Sequence, residues 1–122
     1  MALILVVDDE FSVAEVLQSV LADSGHEVIT AVNGRQALER LGERRPDLVL
    51  LDFMMPIMDG PALLRAMKRD PAYHDIPAVI MSSLPKRVVA QAAGGLFSAI
   101  LRKPFKLAAV IETVETVLNR HN

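Results

Sequence analysis

Carboxylates follow two of the most apolar segments of the chain. Asp8-Asp9-Glu10 comes directly after Leu3–Val7, and Asp52 comes directly after Leu48–Leu51. If the two segments are neighbouring strands, Asp8, Asp9 and Asp52 meet at one edge. Two carboxylates about 4 Å apart repel by roughly 4 kcal/mol at an effective dielectric constant of about 20. Such a cluster needs a bound cation, or a proton on one of its carboxyl groups.

Two further apolar segments end in side chains that can interact with a charged group. Ser82-Ser83 follows Ala78–Met81, and Arg102-Lys103 follows Ala99–Leu101. One lysine cannot neutralise three acids, so a metal cation is the alternative to protonation. Oxygen ligands, without cysteine or clustered histidine, favour a hard cation, Mg²⁺ before Ca²⁺. A metal ion that keeps open positions can in turn hold a phosphoryl group.

The elements that must position these residues alternate regularly along the chain. Short runs rich in Val, Ile and Leu are typical of strands, and segments with apolar residues at helical spacing separate them. The alternation predicts an α/β fold with a doubly wound parallel sheet buried on both faces. Ligands bind such sheets beyond the carboxyl ends of the strands. The expected strands are Leu3–Val7, Val28–Ala31, Leu48–Leu51, Ala78–Met81 and Ala99–Leu101.

Five helices are expected between and after these strands. Asn33 and Asp59 are the expected N-caps of the second and third. The fourth is expected to be short, because Gly94 and Gly95 come early, and Gly60 is expected to permit a close approach of its loop. The apolar positions that define the helices are Val13, Leu17, Val20 and Leu21; Ala37, Leu38 and Leu41; Leu63, Leu64 and Met67; Val88, Val89, Ala92 and Ala93; and Leu107, Val110, Ile111, Val114, Val117 and Leu118.

Composition limits the class of protein. The 122 residues fit one domain, expected to span 1–122. Cysteine is absent, which excludes disulfides and thiolate metal sites, and no basic run suggests nucleic acid as a partner. Mean hydropathy is high at +0.33. However, the longest apolar run, Met1–Val7, is too short to cross a bilayer and lacks the charged start of a signal peptide.

Four stretches, in this order and each ending a strand, carry a resemblance to a known family. "LVVDDE", "LLDFMMPIMDG", "PAVIMSS" and "RKPF" resemble the receiver domain of bacterial response regulators. The resemblance covers essentially the whole chain. It implies a flavodoxin-like fold with five helices and a five-stranded parallel sheet in the order 2-1-3-4-5.

The resemblance also implies a role for each residue that matches the family pattern. Asp52 would be the phosphoacceptor, attacking a phosphohistidine of a partner kinase. Ser82 would be the switch hydroxyl, with Ser83 as a competitor, and Lys103 would pair first with the carboxylate and later with the phosphate. The Lys103–Pro104 peptide bond would be cis.

A magnesium site follows from the same resemblance. Asp9 and Asp52 would bind Mg²⁺ directly, joined by the backbone carbonyl of Met54, and Asp8 would act through a water molecule. Mn²⁺ would be an alternative ion.

The implied protein is a cytoplasmic signalling switch of a two-component phosphorelay. It would not be an enzyme, beyond self-phosphorylation and autodephosphorylation. Its partner would be a sensor histidine kinase or a phosphotransfer protein, with no direct contact to nucleic acid or membrane. A face formed by the fourth helix, fifth strand and fifth helix could bind a second copy or an output partner. No helix-turn-helix follows the fifth helix, so a stand-alone receiver and a domain of a longer regulator both stay open.

Three other functions compete with this interpretation. A phosphohydrolase with an aspartyl-phosphate intermediate needs a second Asp two residues after the nucleophile, where this chain has Met54. A flavin-binding module would need a Ser/Thr-rich phosphate loop where Asp8 and Asp9 stand. A degenerate receiver that acts as a phosphate-independent interaction module stays open, because Ile100 occupies the position where the family usually has Tyr or Phe.

Two expectations concern the side chains of methionine and histidine. Met54, Met55 and Met58 are expected to be packing residues. His26, His74 and His121 lie far apart in sequence and are expected on the surface.

Overall fold

A five-stranded parallel sheet runs through the centre of the molecule in the computed structural model, which describes residues 1–120. The strand order is β2-β1-β3-β4-β5, so β3 is central and β2 and β5 are the edges. This confirms the predicted doubly wound sheet. The strands are β1 (Leu3–Val7), β2 (Glu27–Ala31), β3 (Leu48–Asp52), β4 (Ala78–Ser82) and β5 (Ala99–Arg102).

Helices cover both faces of this sheet. The first and fifth helices pack on one face, and the other three pack on the opposite face. Within residues 1–120, no helix combines the length and the apolar composition that crossing a membrane requires. The helices are α1 (Phe11–Asp23), α2 (Gly34–Glu43), α3 (Gly60–Arg69), α4 (Lys86–Ala93) and α5 (Leu107–Arg120).

Alternate residues of each strand enter one of two separate cores. In β1, Leu5 and Val7 pack toward α2 and α3, whereas Ile4 and Val6 pack toward α1 and α5. All four are fully buried. Since both faces of a strand must be apolar in such a sheet, the strands appear in the sequence as continuous apolar runs.

Three strands extend one residue beyond their predicted apolar runs. Asp52, Ser82 and Arg102 are the last residues of β3, β4 and β5 rather than the first residues of the loops. In the ladder, Asp52 is paired with Met81 and Ser82 with Arg102. The polar side chains are therefore fixed by the sheet itself.

Side-chain caps begin two helices as predicted. The Asn33 side chain accepts a hydrogen bond from the N–H of Gln36, and the Asp59 side chain accepts one from the N–H of Ala62. Helix α4 is short, as expected, and ends at Gly94, whose φ of 63° suits glycine.

The expectation of surface histidines is wrong for His26. Its side chain is only 4% exposed, and its Nε2 lies 2.7 Å from Oε1 of Glu115 on α5. Its Nδ1 accepts a hydrogen bond of 3.1 Å from the N–H of Ala2. These two contacts tie α5 to the start of β1 at the amino edge of the sheet, and both ring nitrogens are satisfied. His74 is exposed as expected, and His121 lies outside the described residues.

Gly60 lies where the backbone of α3 meets the end of β3. A Cβ added there would stand 2.7 Å from the Asp52 carbonyl oxygen and 3.1 Å from the Phe53 Cα. Gly60→Ala should therefore lower the free energy of unfolding by about 1–3 kcal/mol in urea denaturation. Gly42→Ala is the matched control in a helix, because its Cβ would lie 3.8 Å from the Tyr73 hydroxyl, an ordinary contact distance. This change should raise the free energy of unfolding by about 0.5–1 kcal/mol. Equal effects of the two changes would contradict the close approach.

Candidate functional site

Three carboxylates and one ammonium group meet at the carboxyl edge of the sheet. Strands β1 and β3 are neighbours, with Val7 paired to Leu51, so Asp8 and Asp52 follow side by side. Oxygen atoms of Asp8, Asp9 and Asp52 all lie within 4.8 Å of one another. Lys103 enters from the end of β5, with Nζ 3.0 Å from Oδ1 of Asp52 and 3.6 Å from Oδ2 of Asp8.

Burial differs among the acids of this cluster. Asp8 is 1% exposed and Asp52 is 7% exposed, whereas Asp9 and Glu10 are exposed. One Asp8 oxygen accepts a hydrogen bond of 2.9 Å from the N–H of Glu10. Asp52 and Asp8 form the floor of the site, and Asp9 stands at its solvent side.

Burial is the main electrostatic effect on the two floor carboxylates. It raises the pKa of Asp8, and the negative charge of Asp52 adds to this, although the Glu10 N–H acts in the opposite direction. Burial also raises the pKa of Asp52, against the lowering effect of its hydrogen bond with Lys103. For Lys103, burial alone would lower the pKa, but Asp52 and Asp8 outweigh it and the pKa is raised.

The cluster offers oxygen ligands and lacks positive charge, and a hard cation would meet both conditions. Oδ2 of Asp8 is buried and has no hydrogen-bond partner among the described residues. Its nearest cation, Nζ of Lys103 at 3.6 Å, is beyond hydrogen-bonding distance. Buried carboxylate oxygens are rarely left unpaired, so the donor set fits a divalent ion with oxygen ligands.

Ser82 lies at the adjacent strand end. It is 3% exposed, and its Oγ accepts a hydrogen bond of 3.0 Å from the N–H of Leu84. Its carbonyl oxygen accepts a bond of 2.9 Å from the N–H of Lys103, which links the ends of β4 and β5. Ser83, its competitor in the sequence, is exposed.

The loop after β3 is fixed at several points. Met55 is 9% exposed and enters the core with the partly buried Met58, as predicted. The packing prediction is wrong for Met54, whose side chain is 66% exposed. Met54 follows Asp52 by two residues, so only its backbone carbonyl remains as a candidate ligand. The Gly34 N–H donates to the Met58 carbonyl at 2.9 Å and joins this loop to the start of α2.

Ile57 has a strained backbone at the outermost part of this loop. Its φ is +71°, and the Met58 N–H donates across it to the Pro56 carbonyl at 2.7 Å. This is a γ-turn of the rare, strained type. A β-branched residue in such a conformation costs roughly 1–3 kcal/mol. This conformation could not be predicted from the residue type, because positive φ is normally found at Gly or Asn.

Ile100 lies on the edge strand across the sheet from the acids. It is half-buried and packs, with Phe97, against the core under α2, α3 and α4. Phe97 precedes β5 and is not part of the strand. The Lys103–Pro104 peptide bond is cis, as the resemblance implied.

Comparison with known proteins decides the family. The family model "Response regulator receiver domain" matches residues 4–115. The chain belongs to the response regulator receiver family. The receiver fold is also found in a chemotaxis protein of Vibrio cholerae, CheY4, with a TM-score of 0.86 and 31% identity over 96% of this chain and 98% of that one. A signal receiver domain of a histidine kinase from Syntrophus aciditrophicus matches with a TM-score of 0.90 and 31% identity, over 98% and 91%.

Curated relatives of this receiver are longer proteins. The transcriptional regulatory protein PrrA of Mycobacterium tuberculosis is 38% identical over 96% of this chain and 50% of its own length. The DNA-binding response regulator MtrA of Mycobacterium leprae is 37% identical over 98% and 52%. The chain thus spans about half the length of the curated relatives it matches.

The raised pKa of Asp8 predicts how stability responds to pH. A carboxyl whose pKa is raised by folding destabilises the folded state only at pH values where the unfolded chain has lost the proton. This cost in folding free energy is absent below the ordinary pKa of 3.8, grows as the pH rises toward the folded-state pKa, and is fully present above it. In EDTA, Asp8→Asn should therefore raise the Tm at pH 7, because the change removes a buried charge that the folded state disfavours. The gain should shrink as the pH falls toward 3.8.

Asp59→Asn is the control for this measurement. Asp59 also accepts one backbone N–H but is exposed, so its change should move the Tm little at either pH. A gain for Asp8→Asn that stays constant from neutral to acid pH would contradict the electrostatic origin.

Proposed function

We propose that residues 1–122 form the phosphoacceptor domain of a two-component phosphorelay. The chain accepts a phosphoryl group onto Asp52 from the phosphohistidine of a sensor histidine kinase or a phosphotransfer protein. The observation that carries this proposal is the buried Asp52 at the end of the central strand, 3.0 Å from Nζ of Lys103 and beside two further carboxylates.

Asp52 is the acid best suited to be the nucleophile. An oxygen of its carboxylate attacks phosphorus, the O–P bond forms as the P–N bond breaks, and the electron pair of that bond returns to the histidine ring. Asp8 already uses one oxygen to hold the Glu10 N–H. Lys103 orients Asp52 before transfer and balances the phosphoryl charge afterwards as a point charge. Because a carboxylate is a weak nucleophile, positioning and charge supply most of the rate.

Asp8, Asp9, Asp52 and the backbone carbonyl of Met54 would hold Mg²⁺, with Mn²⁺ as an alternative. The unpaired Oδ2 of Asp8 and the convergence of the three carboxylates support this assignment. The bound ion would supply positive charge that favours ionised carboxylates and accepts phosphoryl oxygens. By resemblance to the family, Asp8 would act through a water, while Asp9 and Asp52 would bind the ion directly.

Ser82 would be the hydroxyl that reports the phosphoryl group. Its Oγ accepts from the Leu84 N–H, so its own proton is free to be donated to another oxygen. Ile100 is a departure from the usual pattern, and its half-buried aliphatic side chain cannot swing as an aromatic ring would. The response of β5 must then involve packing of Ile100 rather than exchange of a ring between two positions.

The alternative function is a degenerate receiver that binds partners without phosphate. The complete set of Asp8, Asp9, Asp52, Ser82 and Lys103 at one edge favours phosphorylation. Catalysis beyond self-phosphorylation and autodephosphorylation is not proposed, because Met54 occupies the place of a second acid.

The output partner and the cellular location are further parts of the proposal. The α4-β5-α5 face could bind a second copy or an output partner. Relatives are named as transcriptional and DNA-binding regulators, and this chain spans about half their length. The absence of direct contact between this chain and nucleic acid or membrane stays a prediction. So does its cytoplasmic location.

Acetyl phosphate and Mg²⁺ test the acceptor directly. Intact-mass measurement should show a gain of one phosphoryl group in the wild type and none in Asp52→Asn. Asp59→Asn, which keeps its capping oxygen on the same loop, should gain the group like the wild type. EDTA should prevent the gain. No gain in the wild type would refute the proposal, and an equal gain in Asp52→Asn would move the acceptor elsewhere.

Magnesium binding can be tested without phosphate. Mg²⁺ at about 100 times its Kd should stabilise the wild type by about 2.7 kcal/mol, measured as a rise in Tm. Asp9→Asn should abolish most of this rise, and Glu10→Gln should keep it. Both residues are exposed and adjacent, so the pair separates a ligand from general negative charge. Equal losses in the two variants would count against Asp9 as a ligand.

A further inference from the structure

Helix α2 contacts the acceptor loop, residues 53–59, through a glycine that has no room for a side chain. The Gly34 N–H donates to the Met58 carbonyl at 2.9 Å. A Cβ added to Gly34 would stand 2.6 Å from the Met58 Cγ and 2.8 Å from the Met58 carbonyl oxygen. Gly34 is not among the glycines with positive φ, so the close approach, and not the backbone conformation, requires glycine here.

The acceptor loop has little freedom on either side of this contact. The Gly60 N–H donates to the Phe53 carbonyl at 3.0 Å and closes the loop at its base. Met55 is 9% exposed and is anchored in the core. Because only two residues separate Met55 from Met58, a shift of Met58 is passed on to the chain beside Met55.

A strained turn makes this connection stiff. The turn at Ile57, with a φ of +71°, is closed by a hydrogen bond of 2.7 Å from the Met58 N–H to the carbonyl two residues earlier. Such strain persists only where the surrounding structure imposes it. Met55 in the core and the contact of Met58 with Gly34 are the restraints on the two sides of the turn. The Met54 carbonyl lies next to the first restraint, so its position depends on both.

We propose that Gly34 is a positioning residue for the metal site. By holding Met58, it keeps the strained turn in place and so sets where the Met54 carbonyl lies relative to the carboxylates. The inference rests on the proposed function, in which this carbonyl is one of the Mg²⁺ ligands. The atoms nearest to a Cβ at Gly34 all belong to Met58, so Gly34 governs how tightly Mg²⁺ binds and not the chemistry at Asp52.

Magnesium affinity and labelling rate separate this role from a general loss of stability. Gly34→Ala should raise the Kd for Mg²⁺ roughly 10-fold, because its Cβ displaces Met58 and with it the Met54 carbonyl. The Kd is measured by isothermal titration calorimetry at a temperature where each variant is folded. At saturating Mg²⁺, the rate of labelling by acetyl phosphate should stay near the wild-type rate.

Ile57→Gly tests the same connection without a steric clash, and it keeps the proposal testable if Gly34→Ala does not fold. Glycine adopts a positive φ with little strain, which offsets the greater freedom of the unfolded chain, so this variant should melt near the wild type. The freer turn should hold the Met54 carbonyl less firmly and raise the Kd for Mg²⁺ severalfold.

Met58→Ala supplies a rescue, because it removes the Cγ that a Cβ at Gly34 would meet first. The double variant of Gly34→Ala and Met58→Ala should bind Mg²⁺ more tightly than Gly34→Ala alone, as expected for residues in contact. Val117→Ala is the control for stability. It opens the core on the opposite face of the sheet, so it should lower the Tm and leave the Kd unchanged.

Each other outcome overturns a defined part. A wild-type Kd in Gly34→Ala or in Ile57→Gly would refute the positioning role, and so would a double variant that binds no better than Gly34→Ala. An equal rise in Kd for Val117→Ala would assign the effect to stability. A lower rate at saturating Mg²⁺ would assign Gly34 to the geometry of Asp52 instead. If acetyl phosphate labels the wild type but calorimetry detects no Mg²⁺ binding, the metal assignment and the role of Gly34 both fail while the acceptor stands. No labelling of the wild type would refute the proposed function itself.

Discussion

The ion pair between Lys103 and the two buried carboxylates is the interaction on which the site depends. The pairing of β1 with β3 brings Asp8 and Asp52 together. The two residues cannot separate unless hydrogen bonds between these strands break. Lys103 reaches them from the end of β5, two strands away from β3. One positive charge faces two buried carboxylates, so the cluster is short of positive charge. Burial is the main cause of the raised pKa of both carboxyls, and the negative charge of a neighbouring carboxylate adds to it in each case.

The fold could be predicted because local pattern and global architecture agree. Strands with both faces buried have continuous apolar runs, and the helices between them have one apolar stripe each. The caps at Asn33 and Asp59 could be predicted for the same reason, since one side chain and its own helix determine them. The convergence of Asp8, Asp52 and Lys103 also followed, because parallel strands bring their carboxyl ends to one edge.

The failures concern residues whose surroundings come from distant parts of the chain. His26 looked like a surface residue because its partners, Ala2 and Glu115, lie at the two ends of the sequence. Met54 resembles its neighbours Met55 and Met58 in type, and only the path of the loop turns it outward. The φ of Ile57 could not be predicted, because the residue type opposes it and the surrounding anchors impose it. The chemical roles of Ser82 and Met54 came from family resemblance and not from any physical pattern.

The central strand has a mechanical consequence for signalling. All five residues of β3 are buried and are held by a neighbouring strand on each side. If Asp52 carries the phosphoryl group as proposed, the added group cannot be accommodated by shifting this strand, because both of its edges are paired. Displacement has to be taken up by the less constrained parts around it: the loops of the same edge, and β5, which has a neighbour on one side only. Under this proposal, the stiffness of the middle of the sheet would direct movement outward, to the surfaces where another molecule can detect it.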